Sequence, residues 1–210
     1  MTVQTEKTTA YKLASIISGL FSPLILPTYG MLIAMWLTPL SLLALGVRIW
    51  ATVGIFCITT LIPATILAIM FRKGKISDLS VSNRKQRLIP FISVIICFCA
   101  AATFLYSLSA PAWLVLFYIG AGCSAFISMI INFRWKISAH AAGIAGLTAA
   151  VFWLGQHGHL ICPPLPCISA FIIIAGLVSW ARLYLRQHDI WQVFAGCVLS
   201  FTIMYTILNF

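Results

Sequence analysis

Residues 181–196 read Ala181-Arg-Leu-Tyr-Leu-Arg-Gln-His-Asp-Ile-Trp-Gln-Val-Phe-Ala-Gly196. Arg186, His188 and Asp189 stand here between two apolar runs, 164–184 and 190–209, and Arg182 closes the first of them. Each run is long enough to cross a hydrocarbon core about 30 Å thick. Residues 185–189 are therefore a polar connection between two membrane-length helices, and they bring an imidazole to a membrane boundary.

The same alternation runs outward along the chain. Of its 210 residues 62% are hydrophobic and only 8% charged, whereas soluble domains carry about 25% charged residues. The apolar runs predict spans at roughly 13–36, 47–71, 90–109, 112–133, 139–156, 164–184 and 190–209. The first holds Pro23, Pro27 and Gly30, so it is expected to be bent, or split into two pieces of which one is re-entrant. The expected fold is all-α: a polytopic membrane bundle of six to seven transmembrane helices, one domain over residues 1–210. No repeat or low-complexity linker interrupts it. The first thirteen residues are polar and no cleavage pattern follows them, so no signal peptide is expected.

Seven crossings put the N-terminus and the segments 72–89, 134–138 and 185–189 on one face. Of the thirteen Lys and Arg, that face carries Lys7, Lys12, Arg72, Lys73, Lys75, Arg84, Lys85, Arg87, Arg134, Lys136, Arg182 and Arg186. Arg48 alone is opposite. All three acids, Glu6, Asp78 and Asp189, join the basic face. The positive-inside rule makes that face cytoplasmic, in an integral protein of the plasma membrane, of bacterial inner-membrane type. On the far side His157 and His159 read as interfacial groups, since two histidines are too few for a metal site. Cys162 and Cys167 could close a small disulfide if that side is oxidising. Trp36, Trp50, Trp113 and Trp153 would border the far interface, and Trp135, Trp180 and Trp191 the near one.

Three polar segments thus share one face. They are 72–90, the run Arg134-Trp-Lys-Ile-Ser-Ala-His140 opening a span rich in small residues, and the stretch 181–196. Three acids in the whole chain cannot build aspartate-rich Mg²⁺ sites, and no acid lies within a span to relay protons. Fixed cations and two histidines remain, a set suited to an anionic phosphate ester without a metal. Arginines clamp phosphoryl oxygens bidentately. One imidazole can attack phosphorus while another protonates the leaving oxygen. A helix starting at Ser138 adds backbone N–H donors and the positive end of its dipole. The plainer account of such cations is topology and contact with anionic lipids.

These motifs resemble the type 2 phosphatidic acid phosphatase superfamily of integral-membrane lipid phosphate phosphatases. Its third motif, Ser-Arg, five residues, His, three residues, Asp, is matched by Ala181-Arg182, five residues, His188, three residues, Gln192. Its Pro-Ser-Gly-His is matched by Ile137-Ser138-Ala139-His140. Its first motif, Lys, six residues, Arg-Pro, has a loose echo in Arg87 three residues before Pro90, with Arg84 and Lys75 upstream. The resemblance spans roughly residues 72–196. It implies His188 as nucleophile and His140 as the acid for the leaving group. Arg182, Arg87, Ser138 and Ala139 would hold the phosphate, with Arg84, Lys75 and Lys136 as further candidates.

The family's aspartate position is occupied by Gln192, whose amide would set the His188 tautomer across one helical turn. Asp189, about 100° around an ideal helix, is expected to point away from that pair. The implied activity is metal-independent hydrolysis of a lipid mono- or diphosphate: a polyprenyl diphosphate, phosphatidylglycerophosphate, phosphatidate or phosphorylated glycolipid. The substrate would come from the bilayer, and no metal, cofactor, nucleic acid or obligate protein partner is expected. The alternative is a non-catalytic binder or transporter of an anionic lipid using the same basic pocket.

Overall fold

The computed structural model describes residues 9–210; Glu6 and Lys7 lie outside the described residues. The chain there is helical: α1 (Thr9–Leu20), α2 (Leu26–Leu37), α3 (Leu45–Phe56), α4 (Ile62–Arg72), α5 (Leu88–Ser107), α6 (Ala112–Asn132), α7 (Ala139–Gln156), α8 (Pro164–Tyr184) and α9 (Ile190–Leu208). Five helices among the described residues are long and apolar enough to cross a membrane: Leu45–Arg72, in which α3 and α4 run on as one, and α5, α6, α8 and α9. The molecule is an integral-membrane helical bundle.

The first expected span is two pieces. Pro23 and Pro27 cannot donate to a helical ladder, and the chain turns between Leu20 and Leu26. Each piece has 12 residues, about 18 Å of helix at 1.5 Å per residue, and so falls short of a full crossing. Thr60 Oγ1 donates to Leu24 O at 2.7 Å, tying that break to the α3–α4 helix. Thr60 lies in a π turn, Cys57–Leu61, just before Pro63. The missing Pro63 N–H leaves the ladder open at this point, and a wider turn accommodates it.

The bundle centres on α7, whose small residues let its neighbours approach. Ala141, Ala142, Ala145, Gly146, Ala149 and Ala150 are all buried. A Cβ on Gly196 of α9 would lie 2.8 Å from Ser138 O, so only glycine permits α9 to cross the start of α7 so closely. The crossing is sealed by Ser138 N donating to Gln192 O at 3.2 Å.

One far-side residue departs from expectation. Trp153 does not border lipid: it is 7% exposed and stacks between His157 and His159, with ring centroids 4.3 and 5.3 Å away. Its position on α7 carries it inward with the rest of that helix. Cys162 and Cys167 are both free thiols here.

Candidate functional site

The three polar segments meet. Arg87, which caps α5, donates from Nε to Val81 O at 2.8 Å and from Nη1 to Ile137 O at 3.0 Å. Lys136 Nζ donates to Gln187 O at 2.8 Å, and Ser82 Oγ donates to Gln187 Oε1 at 3.2 Å. The loop before α5, the α6–α7 connection and the α8–α9 connection are thereby stitched together. Asn132, at the end of α6, adds a bond from Nδ2 to Arg84 O at 3.1 Å.

Local backbone features aim these groups. Val81 has φ 46°, a left-handed conformation that a β-branched residue adopts only at a cost. Asp78 accepts from Ser82 N, and Arg87 takes the Val81 carbonyl, so bonds on both sides hold the strained residue. Arg186, at φ 52°, ends α8 with Gln187 N donating back to Arg182 O at 3.1 Å. That left-handed closure reverses the chain and delivers His188 to the bundle interior.

A cavity of about 530 Å³ opens beneath this layer, and Arg87, Arg182, Ala139, His140 and His188 all line it. Arg87 and Arg182 are 7% and 4% exposed. Their hydrogen-bond partners are neutral oxygens: two carbonyls for Arg87, and Ser18 Oγ for Arg182 Nη1 at 2.7 Å. Arg182 Nε is buried with no partner. Burial lowers the Arg87 pKa against an opposing pull from Asp78. Lys136 is lowered by burial and then by the charges of Arg87 and Arg182. Buried arginines whose direct hydrogen-bond partners are all neutral, with Asp78 acting on Arg87 only at longer range, carry a desolvation cost that an anion would offset.

His188 Nδ1 lies 2.8 Å from Gln192 Oε1. Gln192 Nε2 donates to Asp189 Oδ2 at 2.8 Å, and Gln192 N donates to Asp189 Oδ1 at 2.8 Å. A carboxylate only accepts, so the amide NH₂ must face Asp189 and its oxygen must face His188. The imidazole then carries its proton on Nδ1, leaving the Nε2 lone pair free. Burial holds the His188 pKa down at about 3; the Gln192 bond opposes this, and Lys136, Arg87 and Arg182 add to it. It is neutral at ordinary pH.

Asp189 does not point away, as an ideal helix would require. It is the N-cap of α9, with extended backbone at φ −85° and ψ 171°, so the helical 100° step does not apply to it. Its carboxylate turns back over the first turn and grips Gln192. Asp189-x-x-Gln192 is a variant of the capping box, a pattern legible in the sequence.

The remaining expected residues fall in two groups. Ser138 is fully buried and caps α7, accepting from Ala141 N at 3.4 Å; Lys136 and Gln192 support the cavity from just outside its lining. Arg84 and Lys75 are not part of that lining, and Lys75 is exposed. Ser18 of α1 was not foreseen. Its carbonyl accepts from His140 Nε2 at 3.2 Å while its hydroxyl takes Arg182. One of two serines in a short helix gives no signal of this in sequence. Comparison of the chain with family models, with curated proteins and with solved structures finds no match.

Proposed function

We propose that this protein is a metal-independent membrane phosphatase acting on a lipid mono- or diphosphate, as the resemblance of its motifs to type 2 phosphatidic acid phosphatases implies. The observation that carries the proposal is the shared cavity: two buried arginines with neutral partners and two histidines line it together. One of those histidines has its tautomer set by the Asp189–Gln192 pair.

In this mechanism the phosphoryl group sits between Arg87 and Arg182, with the Ala139 N–H at the start of α7 as a further donor. His188 Nε2 attacks phosphorus as the P–O bond to the lipid breaks. Gln192 Oε1 accepts from Nδ1–H throughout and steadies the positive imidazole. The substrate's phosphate brings a proton and passes it to His140 Nδ1, from which it goes to the departing lipid oxygen. Ser18 O only accepts, so His140 Nε2 keeps its hydrogen, and Nδ1 is the site of exchange. Water then attacks the phosphohistidine, His140 Nδ1 takes its proton and hands it to the inorganic phosphate as that leaves, and both histidines are restored as neutral rings. The charged face lies on the cytoplasmic side in this proposal.

The test is phosphate release from a panel of lipid phosphates by purified protein with a chelator present. Labelled substrate should leave acid-labile phosphate on the wild type and none on His188→Ala. Undiminished turnover in His188→Ala would end the mechanism. Tight lipid binding without release would instead identify a binder.

A further inference from the structure

Below the arginines, α6 presents polar atoms with no partner. Ser124 and Ser128 line the cavity, are 6% and 3% exposed, and their hydroxyls make no hydrogen bond. Asn132, one turn further on, has its Oδ1 unpartnered as well. Hydroxyls in apolar helices ordinarily donate to the carbonyl one turn back. Thr38, Thr52, Thr59, Thr65, Thr103 and Thr148 of this chain all do so. Ser124 and Ser128 stay off that bond and face the cavity. A buried hydroxyl without a partner is destabilising, so two in one lining are a cost that a ligand could remove.

Their depth is set by the helix. Asn132 is tied to Arg84 O on the charged face. Ser128 and Ser124 follow about 6 and 12 Å below it at 1.5 Å per residue. Phe117, Leu147 and Met204 line the cavity too, and Phe117 lies about 10 Å deeper than Ser124 on the same helix. The cavity therefore passes from fixed cations, through hydroxyl donors, to apolar side chains.

We infer that Ser124 and Ser128 form a second subsite that takes the oxygen-bearing glycerol backbone of an ester-linked lipid phosphate. This deepens the phosphatase proposal and rests on it. A phosphate on Arg87 and Arg182 places the glycerol carbons and ester carbonyls, which are acceptors, at the level of the serine donors. The acyl chains continue past Phe117. A polyprenyl phosphate offers hydrocarbon at that level and leaves both hydroxyls unsatisfied. A site built to hydrogen-bond an oxygen discriminates against a ligand that lacks it.

The test compares a diacylglycerol phosphate, its dialkyl-ether counterpart and a polyprenyl phosphate on wild type and on Ser124→Ala/Ser128→Ala. The preference of the wild type for the diacyl over the polyprenyl substrate, as a ratio of kcat/KM, should fall roughly 10- to 30-fold in the double variant, since each neutral hydrogen bond contributes about 1 kcal/mol. The ether lipid should behave like the polyprenyl one if the carbonyls are the acceptors. An unchanged ratio overturns the subsite and assigns the serines to internal water, while phosphate release by the wild type still upholds the phosphatase. If no substrate is hydrolysed, the phosphatase proposal fails by itself. Equilibrium binding of the same three lipids to His188→Ala, with and without the serine changes, then decides the subsite. Each serine variant replaces a small residue by the best helix former, and a thermal midpoint in detergent matching the wild type checks that the bundle is intact.

Discussion

Asp189 and Gln192 are joined twice, by Gln192 N to Oδ1 and Gln192 Nε2 to Oδ2, both at 2.8 Å. The same carboxylate starts α9 and fixes which end of the amide meets His188. The resembling family places its carboxylate directly on the imidazole; here the carboxylate acts at one remove. Gln192→Ala should cost about 10–100-fold in turnover, at or below the lower end of what acid–base catalysis contributes. Asp189→Asn keeps a good cap, so its thermal midpoint should stay close to wild type while kcat falls several-fold and KM holds. Gln192→Asp alone sets two carboxylates on one turn and should lose activity. Coupled with Asp189→Ser it should exceed Gln192→Asp alone. Kinetics and melting curves on the four proteins check this, and a silent Asp189→Asn would remove Asp189 from the relay.

The His188 imidazole, held at about 3, titrates near 6.5 in an unfolded chain. Between those values the unfolded state binds more protons, so stability rises with pH there. The contribution is complete above about pH 6.5 and is lost as pH falls towards 3. Thermal midpoints in detergent from pH 7.5 to 4.5 should therefore drop more steeply for wild type than for His188→Asn. Parallel curves would show that His188 does not stay neutral in the fold.

The two buried arginines should separate by readout. Arg87 spends two donors on the carbonyls of Val81 and Ile137, a fork that a lysine cannot reproduce. Arg87→Lys should lower stability by about 2–4 kcal/mol, since charge-assisted bonds contribute about 1.5–3 each. Arg182 rests on one serine and has an unpartnered Nε. Arg182→Lys should melt nearly as wild type yet lose most turnover.

Gly196→Ala should damage both fold and site. Its Cβ would meet Ser138 O at 2.8 Å, backbone that cannot swing aside, so α9 must shift from the start of α7. Overpacking of this kind costs about 1–3 kcal/mol. The displaced turn carries Gln192, so activity should fall beyond what the melting curve explains. Gly176→Ala, which meets nothing within 4 Å and lies outside the cavity lining, is the control.

Lys75→Ala should leave turnover within about twofold, because that side chain is exposed away from the cavity lining. For sidedness, an impermeant thiol reagent on intact reduced cells should label Cys162 and Cys167 but not Ser80→Cys. The reverse pattern would move the charged face outward.

The bundle was legible because apolar length is a one-dimensional property. Runs such as 90–109 and 112–133 announce themselves, and Pro23 with Pro27 flagged the broken first span. His188, His140, Arg87 and Arg182 were legible because ionisable groups are rare against that background. The positions that fail are set by relations invisible along the chain. Ser18 matters through residues 122 and 164 positions away. Asp189 was misplaced because an ideal helical angle was applied to a cap. Ser124 and Ser128 look like ordinary small helix residues until the cavity beside them is seen.

The span of these contacts has a consequence for biogenesis. Ser18 reaches across 164 residues to Arg182, and Ser82 across 105 to Gln187. Helices leave the ribosome in chain order, so the first polar segments enter the bilayer long before their partners exist. Arg87, destined for two carbonyls, has at first only Val81 within its own segment; Ile137 arrives two helices later. A nascent chain halted after α6 therefore holds Arg87 without its pocket, and the docking of the α8–α9 pair is the step that closes it. Quality control that senses unpaired charge at the membrane boundary would see this protein as unfinished until α9 is made.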